Sequence, residues 1–199
     1  MIINELILES AGAVIVHYHA GETIFTEDDF PKNYYQISQG RVKLNNYNDE
    51  GKEVLQTILE TGQSVGESLL FVDEVTYPVN AIAISACTLF KLGKDSFFDL
   101  LLEKPDISLM MNRHLSQILY FRQVMGPILG TNSSMYKIKS LFDYLKGKQD
   151  KKGVFSFEIP FTRQEIANLT GLRVETAIRT IKAMEKDNTV QIRNRKILY

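Results

Sequence analysis

One cysteine in 199 residues, Cys87, leaves no intramolecular disulfide and excludes every motif built from paired thiolates, among them iron–sulfur cages and four-cysteine zinc sites. Such sparing use fits a reducing compartment. No apolar run reaches the roughly 18 residues that a membrane span needs. The first residues, Met1 to Glu9, carry Asn4 and Glu5 where a leader would have a basic flank and a small-residue cleavage site. These absences lead to the expectation of a cytoplasmic protein without membrane contact. Also missing are a G-x-S-x-G elbow, a Walker loop, an HExxH run and a Cys/His nucleophile pair. The acidic pairs Asp28-Asp29 and Asp49-Glu50 fall in expected turns, where carboxylates are solvated, so no enzymatic activity is expected. What is present is core material: 44% hydrophobic and 24% charged residues, enough at this length for one large domain or two modest ones.

A formal net charge of -1 hides an asymmetry. Residues 131–199 hold 14 Lys and Arg against 7 Asp and Glu, a balance of +7, whereas residues 1–130 hold 9 against 17, a balance of -8. A basic module that meets a polyanion, joined to an acidic module with another task, explains the split. An unevenly charged solvated surface is the plainer alternative.

The first hundred residues read as short strands broken by glycine turns: Ala13–Tyr18, Thr23–Phe25, Tyr34–Ile37, Val42–Asn45, Val54–Ile58, Ala81–Ser85 and Thr88–Leu92. Their number and spacing predict a barrel or sandwich. A short helix over Lys94–Leu102 follows. From Asp106 to about Leu129 the period becomes helical, with a seam of Met111, Leu115, Ile118, Arg122, Met125 and Leu129 at spacings of 4, 3, 4, 3 and 4. A second apolar set, Ile107, Met110, Leu119 and Phe121, means that the helix has two faces to bury, one on its own domain and one on a partner helix. The expected dimer contacts are Met111, Leu115, Ile118 and Met125. Gly126, Pro127 and Gly130 then break the helix and form a hinge. Beyond it, Ser134–Lys146 is amphipathic, Gly147–Gly153 is a lysine-rich loop and Val154–Ile159 alternates like a strand.

From Thr162 to Lys182 two helices meet at Gly171. Thr162 and Glu165 fit a capping box, and the small Ala167, Gly171 and Ala177 allow close helix approach: helix-turn-helix grammar. In the second helix Glu175, Arg179, Lys182 and Lys186 recur at spacings of 4, 3 and 4 on one face, opposite Ala177, Ile181 and Met184. An arginine there can donate two hydrogen bonds to guanine O6 and N7, and a glutamate can accept from the amine of cytosine. Arg163, Gln164 and the helix start at Thr162 are placed to hold phosphates. Val190–Ile192 and Lys196–Leu198, joined through Arg193-Asn194-Arg195, form a basic hairpin, or wing. A Glu175/Arg179 pair can equally be a solvated intrahelical ion pair.

With these residues in place, the sequence resembles the Crp/Fnr family of bacterial transcription regulators over essentially its whole length. Thr162-Arg163-Gln164-Glu165-Ile166 and Gly171-Leu172-Arg173-Val174-Glu175-Thr176-Ala177-Ile178-Arg179 carry the strongest likeness. The resemblance implies a winged helix in the major groove, with Glu175 and Arg179 on bases, Arg173, Val174, Thr176 and Lys182 beside them, and Thr162, Arg163 and Gln164 on the backbone. Val174 stands where the cyclic-AMP receptor branch has arginine and is similar to the oxygen-regulator branch, which implies a TGA-containing half-site core. Ala20–Phe25, Tyr35–Lys43 and Gly62–Ser68 resemble the family's cyclic-nucleotide-binding β-roll.

The implied fold is α+β: an N-terminal double-stranded, jelly-roll-like β-roll sensor (1–104), a dimerisation helix and hinge (105–130), and a C-terminal winged helix-turn-helix (131–199). The implied effector pocket comprises Gly66, Glu67, Ser68, Tyr77, Pro78, Phe121 and Arg122, with Tyr120 also on the coupling helix. Tyr77, followed by Pro78, occupies the position of the phosphate-binding arginine. A cyclic phosphate buried without its guanidinium is an unpaired charge costing several kcal/mol, so cyclic AMP is not expected as effector. Two roles stay open for Gly66 and Glu67: binding a ribose-like hydroxyl, or simply building a turn. Haem or metal sensing would draw on His17, His19 and His114, the first two alternating on one strand face, where exposed histidines are the other reading; no cofactor is expected.

The resulting expectation is a homodimeric, sequence-specific regulator that binds a palindromic double-stranded operator, responds to a small effector other than cyclic AMP and, as an activator, contacts RNA polymerase. The rival is a small-molecule-sensing module that acts through protein partners without DNA.

Overall fold

The computed structural model describes residues 2–51, 53–149 and 153–199. The chain divides into two compact units at Ile118/Leu119.

In the first unit, a short helix α1 (Glu5–Ser10) precedes seven strands: β1 (Val14–Tyr18), β2 (Thr23–Phe25), β3 (Asn33–Gln39), β4 (Arg41–Tyr47), β5 (Glu53–Glu60), β6 (Asn80–Ala83) and β7 (Cys87–Gly93). They form two antiparallel sheets, β1-β7-β3 and β2-β6-β4-β5, the double-layered roll expected. Each expected strand is present; β3, β4, β5 and β7 are longer than expected by two or three residues, and β1 and β6 are one residue shorter. β3 and β4 turn at Gly40, whose φ of +103° only glycine adopts readily and where a Cβ would lie 2.5 Å from the Ala86 carbonyl oxygen.

β3 does not alternate between buried and exposed because both its faces are covered. Tyr35 and Ile37 enter the core between the sheets with Phe25, Val42, Val65, Tyr77 and Leu89. Tyr34 points the other way, into a second core with Ile3, Leu8, Phe97, Leu100, Ile107 and Met111. The intervening Gln36 is fully buried, and its amide exchanges hydrogen bonds with the backbone of Ile3: Oε1 accepts from Ile3 N at 2.9 Å and Nε2 donates to Ile3 O at 2.8 Å. The second core is closed by α2 (Lys94–Glu103) and the first half of α3 (Pro105–Leu129). α1 has no counterpart in the sequence-based expectation; Asn4 caps it, its side chain accepting from Leu6 N.

α3 runs through Gly126 and Pro127 to Leu129, so the breakers fall in its last turn and end it where expected. Two residues of the expected dimer seam are used within the chain. Met111 is 1% exposed in the second core, and Met125 is 4% exposed in the core of the second unit. Leu115 is half-buried against the second core, and Ile118 is half-buried too. The apolar side chains that α3 leaves in solvent are Leu109, Met110, Leu119, Tyr120 and Leu129.

The second unit contains α4 (Ser134–Gly147), α5 (Arg163–Leu169), α6 (Val174–Lys186) and the hairpin β8 (Gln191–Arg193) with β9 (Lys196–Leu198). Ile138, Leu141, Phe142, Ile166, Ala167, Ala177, Ile181, Met184, Val190 and Ile197 close its core. The expected strand Val154–Ile159 is only an isolated bridge, Glu158 to Leu198. Asp150–Lys152, within the expected lysine-rich loop, lie outside the described residues.

Candidate nucleic-acid interface and sensor site

α5 begins at a complete capping box: Thr162 Oγ1 accepts from Glu165 N at 3.2 Å, and Glu165 Oε2 accepts from Thr162 N at 2.7 Å. Gly171 turns the chain with φ +63°, and Leu172 N donates to Ala167 O at 2.8 Å across the turn. Ala167 and Ala177, both fully buried, let α5 and α6 approach.

α6 is sharply two-sided. Ala177, Thr180, Ile181 and Met184 are buried, while Glu175, Arg179, Lys182 and Lys186 are exposed on the opposite face. None of those four has an ion-pair partner among the described residues, so the intrahelical Glu175/Arg179 pair is not formed. A helix carrying one acceptor and three cations on a free face can enter the major groove and meet base edges there. Arg173, the N-cap residue, is exposed. Val174 and Thr176 are half-buried: Val174 packs against the core, and the carbonyl of Thr176 accepts from Thr180 Oγ1 at 2.8 Å. Gln164 Nε2 donates to Asn168 Oδ1 at 2.9 Å. Arg163 reaches the wing, where Nη1 donates to Arg195 O at 3.0 Å. On the wing, Arg193, Asn194, Arg195 and Lys196 are all exposed.

In the first unit, Gly66 (φ +73°) caps a 3-10 turn over Glu67–Phe71. A Cβ at Gly66 would lie 2.9 Å from ring atoms of both Phe25 and Tyr77. Those rings are stacked, with centroids 3.6 Å apart at an angle of 8°. Tyr77 is buried, and its phenol is pushed to a higher pKa by burial first, then by Tyr35, Glu67 and Asp29. Glu67, 3% exposed, turns inward: its Oε1 lies 2.9 Å from His114 Nε2, which is 3.2 Å from Ser64 Oγ. Beside them, burial and the charge of Glu67 push the Tyr34 phenol well above its ordinary range. Gly66, Glu67 and Tyr77 share one neighbourhood; Ser68 and Pro78 are exposed. Phe121 packs on Tyr144, with centroids 4.6 Å apart, and Arg122 is exposed. Sequence reasoning named His114 only as a candidate haem or metal ligand and missed it as the partner of Glu67.

Two family models match the chain: a cyclic nucleotide-binding domain over residues 15–104 and a Crp-like helix-turn-helix domain over residues 138–199. The nitrogen fixation regulation protein FixK of Bradyrhizobium diazoefficiens is 28% identical over 186 residues, covering 89% of this chain and 74% of its own length. The cAMP-activated global transcriptional regulator CRP of Haemophilus influenzae is 25% identical over 191 residues, 91% of this chain and 81% of its own. Among solved structures, a CooA mutant from Carboxydothermus hydrogenoformans has the same fold, with a TM-score of 0.81 at 17% identity over 98% of this chain and 87% of that one.

Proposed function

We propose that this chain, a DNA-binding transcription regulator of the Crp/Fnr type, acts as a cytoplasmic homodimer whose two copies of α6 read the halves of a palindromic operator. The observation that carries this reading is the free face of α6, where Glu175, Arg179, Lys182 and Lys186 are exposed without ion-pair partners among the described residues. Bases are read by Glu175 and Arg179; Arg173, Gln164 and Lys182 serve the backbone. Thr162 supports the site through its cap, and Val174 and Thr176 seat α6 on the core. No catalytic step belongs to this function. Where the protein activates transcription, RNA polymerase is its further partner.

The dimer face in this reading is the exposed side of α3, with Leu109, Leu119 and Tyr120, since Met111 and Met125 are already used within the chain. The proposed domain roles are a sensor roll, a connecting helix with a hinge at its Gly126–Gly130 end, and a DNA-binding winged helix. The proposed effector is a small molecule other than cyclic AMP. Two features support excluding the nucleotide: stacked Phe25 and Tyr77 crowd Gly66, and Glu67 is held by the chain's own His114.

The test is DNA affinity measured against salt. Arg179→Ala is expected to weaken binding to a preferred site by about 1–3 kcal/mol while leaving binding to unrelated duplex nearly unchanged. Equal loss on both would make Arg179 a backbone contact and contradict the reading of α6.

A further inference from the structure

We infer that Arg163 is a positioning residue for the wing, and that it and Arg195 act on DNA as one unit, with Arg195 supplying the cation that meets the phosphate. This inference rests on the DNA-binding reading above. β8 and β9 are joined by only two residues, Asn194 (φ +48°) and Arg195 (φ +66°), a pair of left-handed residues as in a type I′ hairpin. Asparagine tolerates that conformation, but arginine gains nothing from it locally. Something outside the turn has to hold it.

The base of the wing is fastened in three ways. Glu185, in the last part of α6, accepts from Ile192 N at 3.1 Å. Lys196 pairs with Glu158 at 2.7 Å. Backbone bonds join Ile159 N to Ile197 O and Tyr199 N to Phe157 O, both at 2.8 Å. The tip is met by Arg163, whose Nη1 donates to the carbonyl oxygen of Arg195 at 3.0 Å. That bond sets the wing tip beside the start of α5. Lys196 spends its charge on Glu158, whereas Arg195 is exposed and makes no ion pair among the described residues. Arg193, also exposed and without an ion pair among the described residues, ends β8, so Arg195 is the cation carried by the two-residue turn itself, and Arg163, one guanidinium nitrogen committed to that turn, decides where it is offered to a phosphate.

The experiment measures binding of the full chain to a random-sequence duplex over a range of salt for wild type, Arg163→Gln, Arg195→Gln and the double variant. Arg195→Gln is expected to flatten the log–log salt slope by about one for each copy bound, the signature of one lost phosphate contact. Arg163→Gln is expected to flatten it similarly, and the double variant no further than Arg195→Gln alone. The double variant should also fall short of the product of the single losses by about threefold or more. Slopes that add, or losses that multiply, would mean two independent phosphate contacts and would overturn the inference; so would an unchanged slope in Arg195→Gln. Amide exchange at Arg195 and Lys196 in DNA-free protein gives a second readout: it should quicken in Arg163→Gln, and unaltered exchange would count against the clasp even if that variant bound poorly. Failure of the wild type to bind any duplex would instead refute the functional reading itself.

Discussion

Burial takes the Glu67 carboxyl group out of water, so a hydrogen-bonding partner inside the protein has to replace the lost hydration. His114 is that partner, and Ser64 hydrogen-bonds the same ring nitrogen. His114→Ala is expected to destabilise the protein by about 1–3 kcal/mol, because it leaves the buried carboxyl group of Glu67 without its partner. Glu67→Gln keeps an acceptor in the same place, so it should cost less than half as much. Urea unfolding of both variants checks this, and equal losses would show that the pair contributes shape alone. The Gly66-Glu67 turn was legible in the sequence because both residues are adjacent and the turn type is local. Its partner lies 47 positions away on another element, where only the folded chain reveals the distance. Likewise, the sequence marked Tyr77 as a replaced arginine, but its stacking on Phe25 depends on β2 and β6 being neighbours.

At the level of elements, helical periodicity identified α3, α4 and α6, each with one side made to be buried, and the strands of the roll were marked by β-branched and aromatic runs between glycine turns. It did not say by what. The 4-3 stripe of α3 is real, yet Met111 and Met125 spend it on two intrachain cores, and of the apolar groups left in solvent Leu109, Leu119 and Tyr120 fall on another side of the helix. The segment Val154–Ile159 alternates as strands do but makes only one bridge to β9. α1 is only six residues long, too short to show a period, and depends on the Asn4 cap and on packing of Leu8. If the exposed side of α3 joins two copies, a charge placed there should separate them. Leu119→Glu is expected to shift the sedimentation coefficient from that of a dimer to that of a monomer and to weaken DNA binding with it. Unchanged sedimentation would move the dimer contact elsewhere.

Across the whole molecule, charge is sorted by function: residues 131–199 carry +7 and residues 1–130 carry -8. The polyanion attracts one module and repels the other, which favours encounter through the winged helix and makes the affinity fall with salt. The central claim is that α6 reads base edges twice, through two symmetry-related copies. Selection of preferred sites from a random duplex pool by the purified full chain tests it most directly. The account predicts a two-fold-symmetric consensus, with half-site centres about one helical turn, roughly 34 Å, apart, and loss of preference at one base pair of each half-site in Arg179→Ala. An asymmetric consensus, or no enrichment from folded wild-type protein, would contradict it.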